Sequence, residues 1–507
     1  MFFIGIDVGT SGTKTLLIDA YGKVVASATF EYPLYQPQIG WAEQNPEDWW
    51  DASVKGIRSV LEKSKVDPKE VKAVGLTGQM HGLVMLDKNY NVIRPSIIWC
   101  DQRTAKECDE ITEKVGKERL IEITANPALT GFTASKILWV RNNEPQNYEK
   151  VYKILLPKDY IRFKLTGEFA TDVSDASGMQ LLDIKNRCWS DEVLEKLEID
   201  KNLLGKVYES PEVTGKINKA ASEITGLCEG TLVVAGGGDQ AAGAVGNGIV
   251  KTGVISSTIG SSGVVFAHLD EFKIDPQGRV HTFCHAVPGK WHVMGVTQGA
   301  GLSLKWFRDN FAHIEKAAFE FIDKDPYILM DQEAELANPG ADGLVFLPYL
   351  MGERSPILDP YAKGVFFGIT AKHTRREFIR AVMEGVVFSL KSCMDVLEEM
   401  SVEIKEVRVS GGGSKSNLWR QIQADIFKKE IWVTNSAEGP SFGAAILASV
   451  GAKVYSTVEE ACDAIIKKEK KEIPKSSNVK IYEETYKLYT ELYHRVKELY
   501  RLSLKKL

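Results

Sequence analysis

VVAGGGDQAAGAVG, residues 233–246, runs an apolar strand into three glycines and then sets a carboxylate at the start of a helix of small residues. A strand ending in Gly236, Gly237 and Gly238 leaves no side chains between backbone and ligand, so a substrate can come close while Asp239 projects from the turn. Asp239 is therefore the candidate catalytic base. An Asp here also suits a helix N-cap, so other segments have to decide between the two readings.

The N-terminus supplies the next feature. FFIGIDVG and TKTLLID read as two strands joined by the turn GTSG, with Asp7 closing the first strand. Gly9 and Gly12 permit a tight turn, Thr10, Ser11 and Thr13 carry hydroxyls, Lys14 follows, and the turn's N–H groups can point at an anion. The pattern returns in GVISSTIGSSGVVF (253–266), where Gly9-Thr10-Ser11-Gly12 lines up with Gly260-Ser261-Ser262-Gly263 and Asp7 with Thr258. VVAGGGDQAAG is likewise echoed by VRVSGGGSKSN, with Ser414 in the place of Asp239. Two features repeated in the same order predict a duplicated α/β fold, with lobes at 1–248 and 249–507. Both acids fall in the first lobe, which is read as catalytic. The second keeps glycines and hydroxyls suited to gripping a nucleotide.

Composition agrees with two cores, since 507 residues with 44% hydrophobic content exceed one ordinary domain. A net charge of −5, from 63 basic and 68 acidic residues, offers no electrostatic reason to expect nucleic acid or a membrane surface as partner. KKEKKE at 467–472 reads as a solvated helix face. Seven scattered cysteines without a CxxC fit a reduced cytosolic chain, and HTFCH at 281–285 reads as strand packing rather than zinc ligation. The opening MFFIGID has no basic leader, and no run approaches the roughly 20 apolar residues that span a bilayer, so a soluble, cytoplasmic protein is expected.

Along the chain, strands are expected near 2–8, 13–19 and 24–30, a helix from Asn45-Pro46, and a buried strand in VKAVGLTG. A long insertion from 79 to about 230 is the natural place for specificity. Further strands are expected near 253–259, 263–268 and 291–297, and a helix of alternating charge near 375–400. A closing helix carries Tyr482, Tyr486, Tyr489, Tyr493, Val496 and Tyr500 as one stripe, docked on its own domain.

The ordered set GIDVGTSGTK, GWAEQNPEDWW, GLTGQMHG, IIWCDQRT, LPKDYIRFKLTGEF, GGGDQAAGAVG and SGGGSKSNLWRQIQADIF resembles the FGGY-type carbohydrate kinases over nearly the whole chain. GFTASKILWVRNN at 131–143 and GVFFGITAKHTRREFIRAVME at 364–384 fit that family's signatures. The resemblance implies two RNase H-like lobes of the actin, Hsp70 and hexokinase type around a cleft, with ATP and Mg²⁺ as cofactors. It makes Asp239 the base, and it places Asp7 near the metal, with Mg²⁺ held through water. Gly260, Ser261 and Ser262 resemble the second phosphate loop. Gly411, Gly412, Gly413 and Ser414 resemble the turn that meets adenosine and phosphates, with Asn417 toward the base. Met80 and His81 match the pair set against an open-chain ketose, and Asp101 and Arg103 stand either as further sugar contacts or as a mutual salt bridge. D-xylulose is the leading substrate, ahead of D-ribulose, gluconate or another polyol; Gln240 after the base is shared with glycerol kinases, whereas Met80-His81 is not. The family's frequent dimers make a homodimer the expected assembly, although no motif encodes it. The rival reading is an actin-like ATPase without a sugar substrate.

Overall fold

The structure is a computed structural model that describes residues 1–312, 325–435 and 439–504. Strands β1 (Phe2–Val8), β2 (Gly12–Asp19), β3 (Val24–Glu31), β4 (Val71–Gly78), β5 (Val213–Lys216) and β6 (Leu232–Val234) form the first sheet in the order β5-β6-β4-β1-β2-β3. β1 pairs antiparallel with β2 and parallel with β4, and all of β1's central residues except Asp7 are buried. Helix α1 (Pro46–Ser64) covers this sheet. Asn45 caps it by accepting from the Glu47 N–H at 3.2 Å, with Pro46 where no donor is missed.

The second sheet comprises β7 (Gly253–Ile259), β8 (Gly263–Leu269), β9 (His281–Cys284), β10 (Trp291–Thr297), β11 (Ile404–Ser410), β12 (Glu430–Thr434) and β13 (Lys468–Glu472). Its order is β9-β10-β8-β7-β11-β12-β13. The duplication expected from the repeats is present, and the pairings fix its register. β1 with β4 slips by one residue between Phe2 and Phe3, and β7 with β11 slips in the same way between Gly253 and Val254. Asp7 pairs with Thr77 as Thr258 pairs with Ser410.

This register corrects the second repeat. VRVSGGG is the twin of VKAVGLTG, not of VVAGGGD, so Gly411 to Ser414 correspond to Gly78 to His81. The strand matching β6 is β12, and the helix matching α2 (Asp239–Gly246) is one that begins at Pro440, not at Ser414. Glycines after a strand recur in both turns, which is why sequence similarity alone paired the wrong ones.

Helix α3 (Arg375–Glu399), expected near 375–400, opens on a capping box of Thr374 and Glu377 and is largely buried. Its Arg380 donates to Glu384 at 2.8 Å, and Tyr482 of the last helix donates to the same carboxylate at 2.7 Å. Helices α4 (Asn417–Phe427), α5 (Pro440–Gly451) and α6 (Ser476–Leu504) complete the second half. The tyrosine stripe of α6 packs on its own half: Tyr482, Tyr489 and Tyr500 are buried, and Tyr349 and Tyr489 share a hydroxyl bond of 2.8 Å.

KKEKKE is a strand rather than a helix face. Residues 468–472 form β13, an exposed sheet edge whose lysines discourage further pairing. The region from 79 to 230 is mainly helical, with its own apolar core that also meets Val264, Phe266, Phe283 and Met294 of the second sheet.

α5 crosses back to lie on β1, β2 and β4 of the first sheet and against α2. The approach is very close: a methyl group on Gly75 would sit 1.9 Å from the Ala444 carbonyl oxygen, and one on Gly443 would sit 1.7 Å from that of Ala242. Among the described residues no helix is long and apolar enough to cross a membrane.

Candidate active site

Asp239 is the first residue of α2, and the cap position belongs to Gly238. Gly236 takes a left-handed φ of 72°, where any side chain would strike the Leu76 carbonyl. At Gly238 a methyl group would lie 2.9 Å from the sulfur of Met80, so the glycine lets Met80 come up beside the base. The Gly238 N–H donates to Ser174 Oγ at 3.0 Å, and that hydroxyl donates in turn to Asp172. Asp172 and Asp159 surround the buried ammonium of Lys158 at 3.0 and 2.7 Å. The LPKDY segment thus anchors the turn that carries Asp239, a role that its sequence does not reveal.

Asp239 opens onto a cavity of about 630 Å³ between the halves, lined also by Asp7, Lys14, Gln240, Thr258, Gly411, Ser414 and Lys415. Burial pushes the Asp239 carboxyl up to about 6, against which bonds from Gln240 pull. Asp7 is pushed to about 7, first by burial and then by the charge of Asp239, with Lys14 pulling it back. One Asp7 oxygen is buried without a partner.

A second cavity, of about 590 Å³, is lined by Gly260, Ser261, Gly301, Lys305, Tyr327, Asp331, Gly412, Gly413, Lys415, Ser416 and Trp419. The turn 411–415 therefore borders both spaces, with Gly411 and Ser414 facing one, Gly412 and Gly413 the other, and Lys415 both. The second cavity's wall at Tyr327 and Asp331 carries no motif and was missed from sequence.

The first hairpin contributes less directly than expected. Asp7 and Lys14 line the cavity, whereas Thr10, Ser11 and Thr13 do not. Thr10 Oγ1 accepts from the Trp99 indole at 2.9 Å, its carbonyl accepts from Gln44 at 2.7 Å, Ser11 is exposed, and Thr13 is buried against Tyr32. The motifs around Gln44 and Trp99 thus hold the hairpin's tip. In the second hairpin Gly260 and Ser261 reach the cavity and Ser262 does not. Asn417 lies off it as well, its side-chain oxygen engaged by Arg420.

His81 sits in a left-handed conformation, φ 69°, which is costly for a residue with a side chain. Its carbonyl is held by Lys136 Nζ at 2.9 Å and Thr133 Oγ1 at 3.1 Å, and its ring stacks on Phe132 at 4.6 Å. Nδ1 meets the Gly178 carbonyl at 2.8 Å, so Nδ1 carries the proton and Nε2 is an acceptor. Burial pulls the His81 pKa to about 3, keeping the ring neutral. Asp101 and Arg103 form the mutual salt bridge that was one of their two expected roles. They pair with each other at 2.7 Å, and Arg103 also bonds Glu43 and lies 3.7 Å over the Trp41 ring. His281 and Cys284 lie on β9, buried; among the described residues no three His, Cys, Asp or Glu side chains gather into a metal-binding group.

The model of the N-terminal domain of the FGGY family of carbohydrate kinases matches residues 2–246, and that of its C-terminal domain matches residues 255–452. A xylulose kinase of Bacillus subtilis is 39% identical over 98% of both chains. One of Escherichia coli is 40% identical over 90% of this chain and 92% of its own. The solved structure of a ligand-bound xylulose kinase from Lactobacillus acidophilus superimposes with a TM-score of 0.91 at 28% identity, covering 98% of this chain and 99% of the other.

Proposed function

Because the chain belongs to the FGGY family of carbohydrate kinases, we propose that it transfers the γ-phosphoryl group of ATP to the C5 hydroxyl of D-xylulose, giving D-xylulose 5-phosphate and ADP. The carrying observation is the position of Asp239, between Met80 on one side and, on the other, the cavity bordered by Asp7, Lys14 and the 411–415 turn. Similarity to xylulose kinases supports the ketose. We assign the two lobes to 1–248 and 249–507, and the reaction to the cytosol as a homodimer.

A sugar hydroxyl is a poor nucleophile, and phosphoryl transfer is governed by positioning and charge. At neutral pH Asp239 is ionised, yet basic enough to take the hydroxyl proton as the oxygen attacks. Met80 and His81 orient the sugar, His81 accepting a hydrogen bond from a sugar hydroxyl at Nε2. Lys14 and the N–H groups of the 411–415 turn face the phosphates, and the cavity at Gly412, Gly413 and Tyr327 takes adenosine. Asp7, with its unpartnered oxygen, fits a hydrated divalent cation, and bound Mg²⁺ would neutralise phosphate charge there.

The test is ADP release from MgATP with D-xylulose, D-ribulose, gluconate, glycerol or no sugar. A rate strongly favouring D-xylulose is expected. A different leading polyol would overturn the substrate, and sugar-independent turnover would promote the ATPase reading.

A further inference from the structure

The mechanism leaves two polar side chains without an assignment, both from the second half of the chain and both near His81. The first is His281, on β9 and 1% exposed. Its Nδ1 meets Asn126 Oδ1 at 2.7 Å. The Asn126 amide is oriented by its own N–H₂ group, which donates to the Thr124 and Thr282 carbonyls at 2.9 and 3.1 Å. Oδ1 can therefore only accept, so His281 Nδ1 carries the proton and Nε2 is a lone-pair acceptor. That Nε2 is buried with no partner. Leaving a buried acceptor unpaired is costly, so this one calls for a ligand that supplies an O–H.

The second is Arg354. Among the described residues its guanidinium has neither a hydrogen bond nor an ion pair. Its neighbour Glu353 is not its counterion, because that carboxylate already accepts the Gln298 and Arg354 backbone N–H groups at 2.8 Å and the Ser389 hydroxyl at 3.3 Å. Burial alone pulls Arg354 down to about 10, with no anion pulling it back. The segment is pinned beside β10 by the Ser355 N–H on the Val296 carbonyl at 2.9 Å, and Met294, two residues along β10, pairs with His281. After burial, the positive charge of Arg354 helps hold His81 and His281 neutral. Arg354 is also absent from the lining of the cavity that Asp239 shares with Lys14. Its segment thus lies along β10, the strand that pairs with His281. Phe132 ties the group together, 4.6 Å from His81 and 6.1 Å from His281 between ring centres.

The inventory is asymmetric. His81 Nε2, His281 Nε2 and Asp239 all accept, whereas the Arg354 guanidinium donates. A polyol hydroxyl can satisfy an acceptor, whereas a ketone oxygen carries no proton and must find a donor. Resting on the ketose reading above, we propose that Arg354 donates to the ketone oxygen of the sugar and that His281 Nε2 accepts from a neighbouring hydroxyl. The second half of the chain then reads the end of the ketose remote from Asp239.

Arg354→Met tests this with two ligands, D-xylulose and a pentitol analogue lacking any oxygen at C2. The expected result is a KM for D-xylulose raised about 10- to 100-fold, the loss of one charged hydrogen bond. The inhibition constant of the C2-deoxy analogue and the KM for ATP should stay nearly unchanged. Equal weakening of both sugar ligands, or an unaltered KM for D-xylulose, overturns the assignment. Arg354→Lys, which keeps the charge but not the reach, is read against the same ligands and serves if the methionine variant fails to fold; it should lose D-xylulose selectively. Wild-type enzyme that accepts no ketose would defeat the substrate reading itself, and that result is seen without either variant.

Discussion

Asp239 and Asp7 border one cavity as two half-buried carboxylates, and their environment sets how each behaves with pH. Burial lifts Asp239 from the 3.8 of a free aspartate to about 6, so the base is lost by protonation as pH falls through that value. kcat/KM for the sugar is therefore expected to be flat above pH 7 and to fall roughly tenfold per unit below about 6. Asp239→Asn should lower kcat by about 10²–10⁴-fold while both substrates still bind, as calorimetry can check. Full activity in that variant would remove Asp239 from the base role. The stability sign is opposite to that of a salt-bridged acid. A carboxyl whose pKa is raised on folding costs stability once pH exceeds its unfolded value, so Asp239→Asn should melt higher than the parent at pH 8 and converge with it near pH 4. Asp239 was legible because its chemistry is written locally, in a strand, three glycines and an acid. Arg354 and His281 carry no such local signature: each is identified by a missing partner, and missing partners exist only once the chain has folded.

At the scale of elements, the decisive contact is α5 on the first sheet and on α2. Gly5, Gly75 and Gly443 let backbones meet where a single methyl group would overlap a carbonyl oxygen. Gly443→Ala has no flexible side chain to push aside, so overpacking of about 1–3 kcal/mol or more is expected, seen as a melting temperature lower by roughly 4–8 °C. An unchanged melting temperature would show that α5 can shift freely on α2. The sequence pattern found the strands, the α1 cap at Asn45 and the α6 stripe, because period and capping are local. It misjudged KKEKKE, whose alternating charges suit an edge strand as well as a helix face, and pairing with β12 decides between them.

For the whole molecule, the cavity proposed for the nucleotide is built largely by the second half, whereas Asp239, Met80 and His81 come from the first, so the proposed turnover needs both halves in register. Sugar binding should favour the closed arrangement and thereby suppress hydrolysis by water. D-xylulose with a nonreactive ATP analogue is expected to reduce the radius of gyration in solution scattering more than either ligand alone; identical profiles would count against closure. The sequence by itself determined the two-lobed duplication, the candidate base and the glycine turns, since each is specified by residues within a few positions of one another. Tertiary structure alone decided that Gly411 to Ser414 match Gly78 to His81, that Asp101 and Arg103 bond each other, and that Asn417 turns to Arg420. It also decided that His81 and His281 both pack against Phe132. Those outcomes depend on strand register and on partners tens to hundreds of residues away, and it is burial, which no single segment controls, that makes leaving a polar group unpaired costly.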